Sequence, residues 1–239
     1  MKKLIIGVLA ASLIVVSCKK DRDDDTVQEV ESLTEQNAND DAAIAKYMNE
    51  HYLDGQGLIK AFSDSDTTDD ANKKLSDYDY QKLDSGVIVI VIPGAQPENG
   101  RTIGATDVIK LMSDTNTFLS DKGDDGTITY TSTYNFTNTI STTGVPDTDP
   151  YYYYVKKSVM ESSGEPRSYY EIEGFQEGLK YFKSFDIPDS QNFNMQGVII
   201  VPSRAAYARD AHYTSSYRNR TFVFNFQVYK SYTRPTSEE

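Results

Sequence analysis

The chain has 239 residues, enough to bury a real core in one domain or two small ones. Tyr and Phe supply 18 and 10 positions and Trp none, so the apolar material is aromatic and β-branched, which argues against an all-helical bundle. A formal net charge of −12 repels phosphate backbones and the sequence carries no basic stripe, which excludes nucleic acids as partners, and one Cys with two His excludes a disulfide framework and a thiolate zinc site.

In chain order, Met1-Lys2-Lys3 followed by the apolar run Leu4 to Val16 reads as a secretion signal, too short for a relaxed membrane span of about 20 residues. The run ends in Val15-Val16-Ser17-Cys18, which resembles a bacterial lipobox. That resemblance implies acylation of Cys18 and loss of residues 1–17, with it Lys2 and Lys3, leaving 222 residues at −14. Acyl chains anchor firmly because each buried methylene contributes about 0.8 kcal/mol. The charge block Lys19 to Asp25 reads as a solvated tether through residue 38. Its acids close behind the Cys resemble a signal for the outer face of the outer membrane; the cell surface and the periplasmic leaflet both stay open.

A capped amphipathic spacing predicts a helix over Asn39–Tyr52, with Ala42, Ala43, Ile44, Tyr47, Met48 and Tyr52 on it and Gly55 and Gly57 closing it. Residues 39–79 therefore read as a helical segment and linker, the linker being the Asp/Ser/Thr/Lys stretch Ser63 to Asp77. His51 has no second His near it, which favours packing over metal binding. From residue 80 the pattern turns to strands: Val87–Ile92, Thr127–Phe136, Val198–Val201 and Thr221–Tyr229. Their alternation predicts antiparallel pairing with one face covered. Phe175, Leu179 and Phe182, at i, i+4 and i+7, predict one short helix. The expected fold class is α+β: an antiparallel sheet wrapped on one short helix, with an N-terminal helical segment. Thr106 to Lys122 and Pro146 to Arg167 read as insertions, the latter holding Tyr151 to Tyr154.

Phosphate loops, nucleophile elbows, HExxH and CxxC are missing from the sequence. Asp64–Asp70 and Asp121–Gly126 lack the EF-hand spacing and read as acidic turns. No metal and no cofactor is expected.

Three ordered segments resemble the FKBP-type peptidyl-prolyl cis-trans isomerases. Glu171-Ile172-Glu173-Gly174-Phe175-Gln176-Glu177-Gly178-Leu179 is similar to that family's Gly-Trp-x-x-Gly stretch, with Phe175 in place of Trp and Glu171 in place of an apolar residue. Gly197 to Ala208 looks like the family's apolar strand, Pro and Ala-Tyr-Gly turn, and Thr221 to Val228 like its closing strand. The resemblance covers residues 80–233, leaving 234–239 as a tail. It implies an aromatic cup of Tyr130, Ile172, Phe175, Tyr207 and Phe224 as catalytic residues, with the Ile172 N–H and the Tyr207 hydroxyl holding substrate carbonyls. It also places Ile140, Ser141 and His212 at substrate-binding positions. Ser141 stands where the family carries a carboxylate, and the loop Ala208–Arg220 is polar where the family's is apolar.

The resemblance implies a lipid-anchored isomerase that acts on proline-containing polypeptides and assists folding of exported or outer-membrane proteins. The departures imply the alternative, a catalytically weak binding subunit of an outer-membrane protein complex. Replacing Cys18 by Ser is expected to release the protein from the membrane fraction, and retention there would refute the lipid anchor.

Overall fold

The first helix starts ahead of its predicted Asn39 boundary. In the computed structural model, which describes residues 32–209 and 215–239, helix α1 spans Leu33–Glu50. Ser32 is the reason: its hydroxyl accepts the Glu35 N–H at 3.1 Å, and the Glu35 carboxylate accepts the Ser32 N–H at 3.1 Å. This reciprocal cap satisfies two donors that a helix start leaves open. Residues 33–38, expected in the tether, are thus helical. Gly55 and Gly57 do not close the helix but lie between two short strands, β1 (His51–Leu53) and β2 (Ile59–Ala61). Cys18 lies outside the described residues. Among the described residues no helix is long and apolar enough to cross a membrane.

The remaining elements are β3 (Tyr80–Lys82), β4 (Ile88–Val91), β5 (Arg101–Thr102), β6 (Val108–Lys122), β7 (Ile128–Asn138) and β8 (Asp147–Thr148), then the helices α2 (Lys157–Ser163) and α3 (Glu173–Leu179), and finally β9 (Lys183–Ser184), β10 (Gly197–Val201) and β11 (Arg220–Tyr232). One antiparallel sheet runs in the order β3-β4-β10-β11-β6-β7, with β8 also paired to β6. The architecture is α+β, as expected. Most of Thr106 to Lys122, expected as an insertion, is the long strand β6 inside the sheet, which pairs with β11 from Leu119↔Arg220 to Val108↔Tyr232. Polar Ser, Asp, Thr and Asn at its centre hide the strand from a reading of apolar alternation.

The central strands are covered on both faces, not on one. Val89, Ile199, Val201, Phe222, Phe224, Phe226 and Val228 pack on one side with Ile172, Phe175, Leu179 and Phe182. Ile88, Ile90, Val198, Ile200 and Val223 pack on the other with Ala43, Ile44, Tyr47 and Met48 of α1. Runs such as Val87–Val91 and Val198–Val201 carry apolar residues at every position, and only a strand buried on both faces uses them all. Each fully buried side chain of this kind contributes about 1.5–3 kcal/mol.

Helix α3 lies close to the sheet because Gly174 and Gly178 face it. A Cβ at Gly174 would meet Val201 Cγ1 at 2.4 Å, and one at Gly178 would meet Ile199 Cγ2 at 2.7 Å. On the other face α1 is fixed by Asp40, which is fully buried. Its carboxylate accepts the Ser203 N–H at 3.1 Å, the Gln36 amide at 2.9 Å and the Ser120 hydroxyl at 2.8 Å, and also the Ser203 hydroxyl. The expected tail is anchored too. Arg234 is buried, pairs with Asp149, donates to the Thr106 carbonyl at 3.0 Å, and lies 3.9 Å from the centre of the Tyr154 ring.

Asp40→Ala strips the acceptor from several buried donors and is expected to cost about 3 kcal/mol in denaturant unfolding. A loss under about 1 kcal/mol would show that α1 is held by its apolar face alone.

Candidate functional site

Ile172, Phe175, Tyr207 and Phe224 come together on the α3 side of the sheet. Phe175 points from α3 to the sheet and Phe224 from β11 to the helix, and their rings stack at 4.3 Å between centroids. Ile172 caps the start of α3, and Tyr207 follows the turn after β10 and packs edge-on to Phe222 at 5.8 Å. Ile172, Phe175 and Phe224 have no exposed surface and Tyr207 has 3%.

Tyr130 does not join them. It lies on the opposite face, packed on Phe118 at 5.3 Å and Tyr47 at 5.4 Å, with its hydroxyl donating to Glu50 Oε2 at 2.8 Å. Burial, and after it the Glu50 carboxylate, push the Tyr130 phenol far above its usual range. The cause of the misplacement is local. The β6–β7 register shifts between Thr117 and Leu119 and again between Thr115 and Asn116, and Ser132 has φ 51°. Each bulge inserts a residue and reverses which parity faces which side. One of these shifts lies between Tyr130 and Phe136, and Phe136 is itself the unpaired residue of the other, so Phe136 reaches the α3 side, 5.1 Å from Phe222 and 5.3 Å from Tyr152.

Tyr152 is the larger omission. The four tyrosines lie at a turn, with Tyr151 exposed and Tyr152, Tyr153 and Tyr154 buried. The Tyr152 ring sits 5.7 Å from both Phe175 and Phe224. Its place in an apparent insertion gave no signal beyond the density of aromatic residues.

The two donors expected to hold substrate carbonyls are engaged within the chain. The Ile172 N–H donates to the Tyr152 carbonyl at 2.8 Å, and the Tyr207 hydroxyl to the Tyr170 carbonyl at 2.8 Å. Both acceptors belong to the segment from Pro150 to Glu171. Glu171, read as a departure from an apolar position, fastens that segment: its carboxylate accepts the Val155 N–H at 2.8 Å, Arg167 Nη1 at 2.9 Å and the Gln176 amide at 3.0 Å. Gln176 also donates to the Tyr153 carbonyl at 2.6 Å. On the outer side, a cleft of about 350 Å³ is lined by Tyr151, Tyr154, Val155, Val159 and Tyr170, with Asp149 and Lys156 at its edge.

Ile140 and Ser141 lie in the turn after β7; Ser141 is exposed and its N–H donates to Asn138 Oδ1 at 2.8 Å. His212 lies outside the described residues. His51 stacks on Tyr47 at 3.7 Å with Nδ1 2.8 Å from the Tyr47 carbonyl, and burial holds its pKa below the usual value. Asp66 and Asp125 accept the backbone N–H groups of Thr68 and Thr127, at 3.0 and 2.9 Å, as acidic turns do. Among the described residues no group of His, Cys, Asp and Glu side chains is arranged to hold a metal ion.

No protein-family model and no curated protein matches the chain. Solved structures do. The chain is similar to FkpA from Escherichia coli, at 20% identity and a TM-score of 0.39 over 65% of this chain and 53% of that one. It is also similar to the peptidyl-prolyl cis-trans isomerase of Pseudomonas syringae, at 13% identity and a TM-score of 0.33 over 64% and 80%. The three FKBP domains of wheat FKBP73 match at 11% identity and a TM-score of 0.36 over 65% and 51%. The chain thus spans about half the length of the FkpA structure it matches.

Phe175→Ala empties the centre of a closed aromatic core and is expected to cost about 3–5 kcal/mol. Tyr207→Phe removes the hydroxyl's bond to the Tyr170 carbonyl and is expected to cost about 1 kcal/mol. Chemical denaturation of the two variants checks the order, and equal losses would show that the Tyr207 hydroxyl carries more than one bond's worth of stability.

Proposed function

We propose that this chain is a lipid-anchored, FKBP-like protein of the bacterial outer membrane that binds polypeptide segments, isomerises prolyl bonds weakly, and serves as a binding subunit of an envelope assembly. The supporting observation is the engagement of the Ile172 N–H and the Tyr207 hydroxyl, the two donors that the resemblance implies for substrate, by carbonyls of the chain's own 150–171 segment.

The physical argument concerns what prolyl isomerisation requires. Rotation about the imide breaks amide resonance against a barrier of about 18–20 kcal/mol. The planar imide is charge-separated, so an apolar aromatic cup favours the twisted form, and donors that fix the flanking carbonyls hold that twist in place. No proton transfer is needed. In the described conformation the rings of Tyr152, Phe175 and Phe224 fill one another's space and both donors are occupied, so a proline ring has to displace Tyr152 to enter. That displacement subtracts from binding and lowers the rate. The tyrosine-lined cleft on the outer side of the segment supplies apolar area with a polar edge, the composition of a polypeptide-binding surface.

A second reading, an active isomerase that assists folding of exported or outer-membrane proteins, is favoured by the grouping of Ile172, Phe175, Tyr207 and Phe224 where the resemblance puts a cup. The rate of cis/trans conversion of a short X-Pro peptide with purified protein separates the two. A rate close to the uncatalysed one is expected, and a strong acceleration would replace the first reading by the second. In mild detergent the protein is expected to migrate with an outer-membrane partner; migration alone would count against the binding-subunit role.

A further inference from the structure

We infer that residues 150–171 form a latch that closes the site from within and opens as a unit when the Arg167–Glu171 clasp is broken. The inference rests on the proposed function for what the open site receives, and on the geometry alone for the latch itself.

The segment is fastened at both ends and loose in its middle. At its start, Tyr152, Tyr153, Tyr154 and Val155 are buried, Tyr153 donates its hydroxyl to the Gly104 carbonyl at 2.7 Å, and the Arg234–Asp149 pair holds the preceding turn. At its end, Tyr170 and Glu171 meet Tyr207, Val155 and Gln176. Between these ends α2 has no buried residue. Arg167 joins the two ends: Nη1 donates to the Val155 carbonyl at 2.9 Å and to Glu171 Oε1 at 2.9 Å, while Nη2 donates to the Tyr154 hydroxyl at 3.0 Å. Its plane also lies 4.3 Å from the centre of the Tyr154 ring.

Three consequences of closure fall on one place. The Tyr152 carbonyl occupies the Ile172 N–H, the Tyr170 carbonyl occupies the Tyr207 hydroxyl, and the Tyr152 ring covers Phe175 and Phe224. Two backbone carbonyls and one ring are also what an aromatic or prolyl residue in an extended polypeptide presents. The latch therefore competes with substrate for the same donors and the same aromatic floor. A polypeptide gains entry by exchanging its carbonyls for those of Tyr152 and Tyr170, and the number of hydrogen bonds is conserved in the exchange.

The test uses the full chain and Arg167→Ala, with Glu171→Gln as a second variant that keeps side-chain size. Amide hydrogen exchange is read at Ile172 and Val155, and at Ile199 and Val223 in the sheet. Exchange at Ile172 and Val155 is expected to rise tenfold or more in both variants while Ile199 and Val223 stay unchanged. Unchanged exchange at Ile172, or an equal rise at Val223, would overturn the latch. Titration with a short X-Pro peptide is followed at the Phe175 and Phe224 resonances, and tighter binding by the opened variants supports gating. Equal binding by wild type and variants would overturn gating. Local opening without peptide binding by any form would sink the proposed function and leave the latch standing.

Discussion

Phe222, Phe224 and Phe226 leave β11 on the same face, and no arrangement keeps three aromatic rings dry unless another layer lies directly on them. The rest of the molecule answers that constraint. Gly174 and Gly178 let α3 approach the sheet within side-chain contact of Ile199 and Val201, and Phe175 then reaches the Phe224 ring. The opposite face needs its own cover because Val223 and Ile200 point that way, and α1 supplies it. Even the polar break in the run is accounted for: buried Asn225 donates to the Gly57 and Gly197 carbonyls and accepts the Ile59 N–H, tying the β1–β2 hairpin to the sheet.

Much of this architecture was legible in the sequence where chemistry and period agree. The apolar runs at Val87, Val198 and Thr221 announced their strands, and the spacing of Phe175, Leu179 and Phe182 announced α3, although the helix ends at Leu179 and Phe182 lies beyond it. Coverage of both faces could have been read from Val-Ile-Val-Ile-Val, which does not alternate. What escaped was written in polar residues. The middle of β6 is Ser-Asp-Thr-Asn-Thr, held by its neighbours β11 and β7 through backbone pairing that no side-chain pattern reveals. The opening turn of α1 depended on Ser32 and Glu35, a cap three residues long ahead of a polar stretch. Within the candidate site Ile172, Phe175, Tyr207 and Phe224 meet, while Tyr130, on a bulged strand, faces the other core and Tyr152 comes from a turn whose path only the tertiary structure determines.

The donors at the site are satisfied by the chain itself. Donors that serve a carbonyl ligand are also donors that a nearby backbone can satisfy, and a buried N–H left without an acceptor costs about 1–3 kcal/mol. The segment ahead of α3 satisfies those groups internally and so avoids that cost. Glu171 adds to this, its buried carboxylate serving three donors. The same residue that weakens a family likeness in the sequence gives the fold an internal brace.

The bulges of β7 carry a consequence for how such a chain diversifies. Between Tyr130 and Phe136 the strand crosses from one core to the other without leaving the sheet, because the one extra residue between them reverses the alternation once. Loss or gain of a single residue there would exchange the inhabitants of two separate interiors in one step. A short stretch of backbone thus acts as a switchyard, routing the same aromatic side chains toward the helix α1 or toward the candidate site, and alters the contents of the site without any substitution within it.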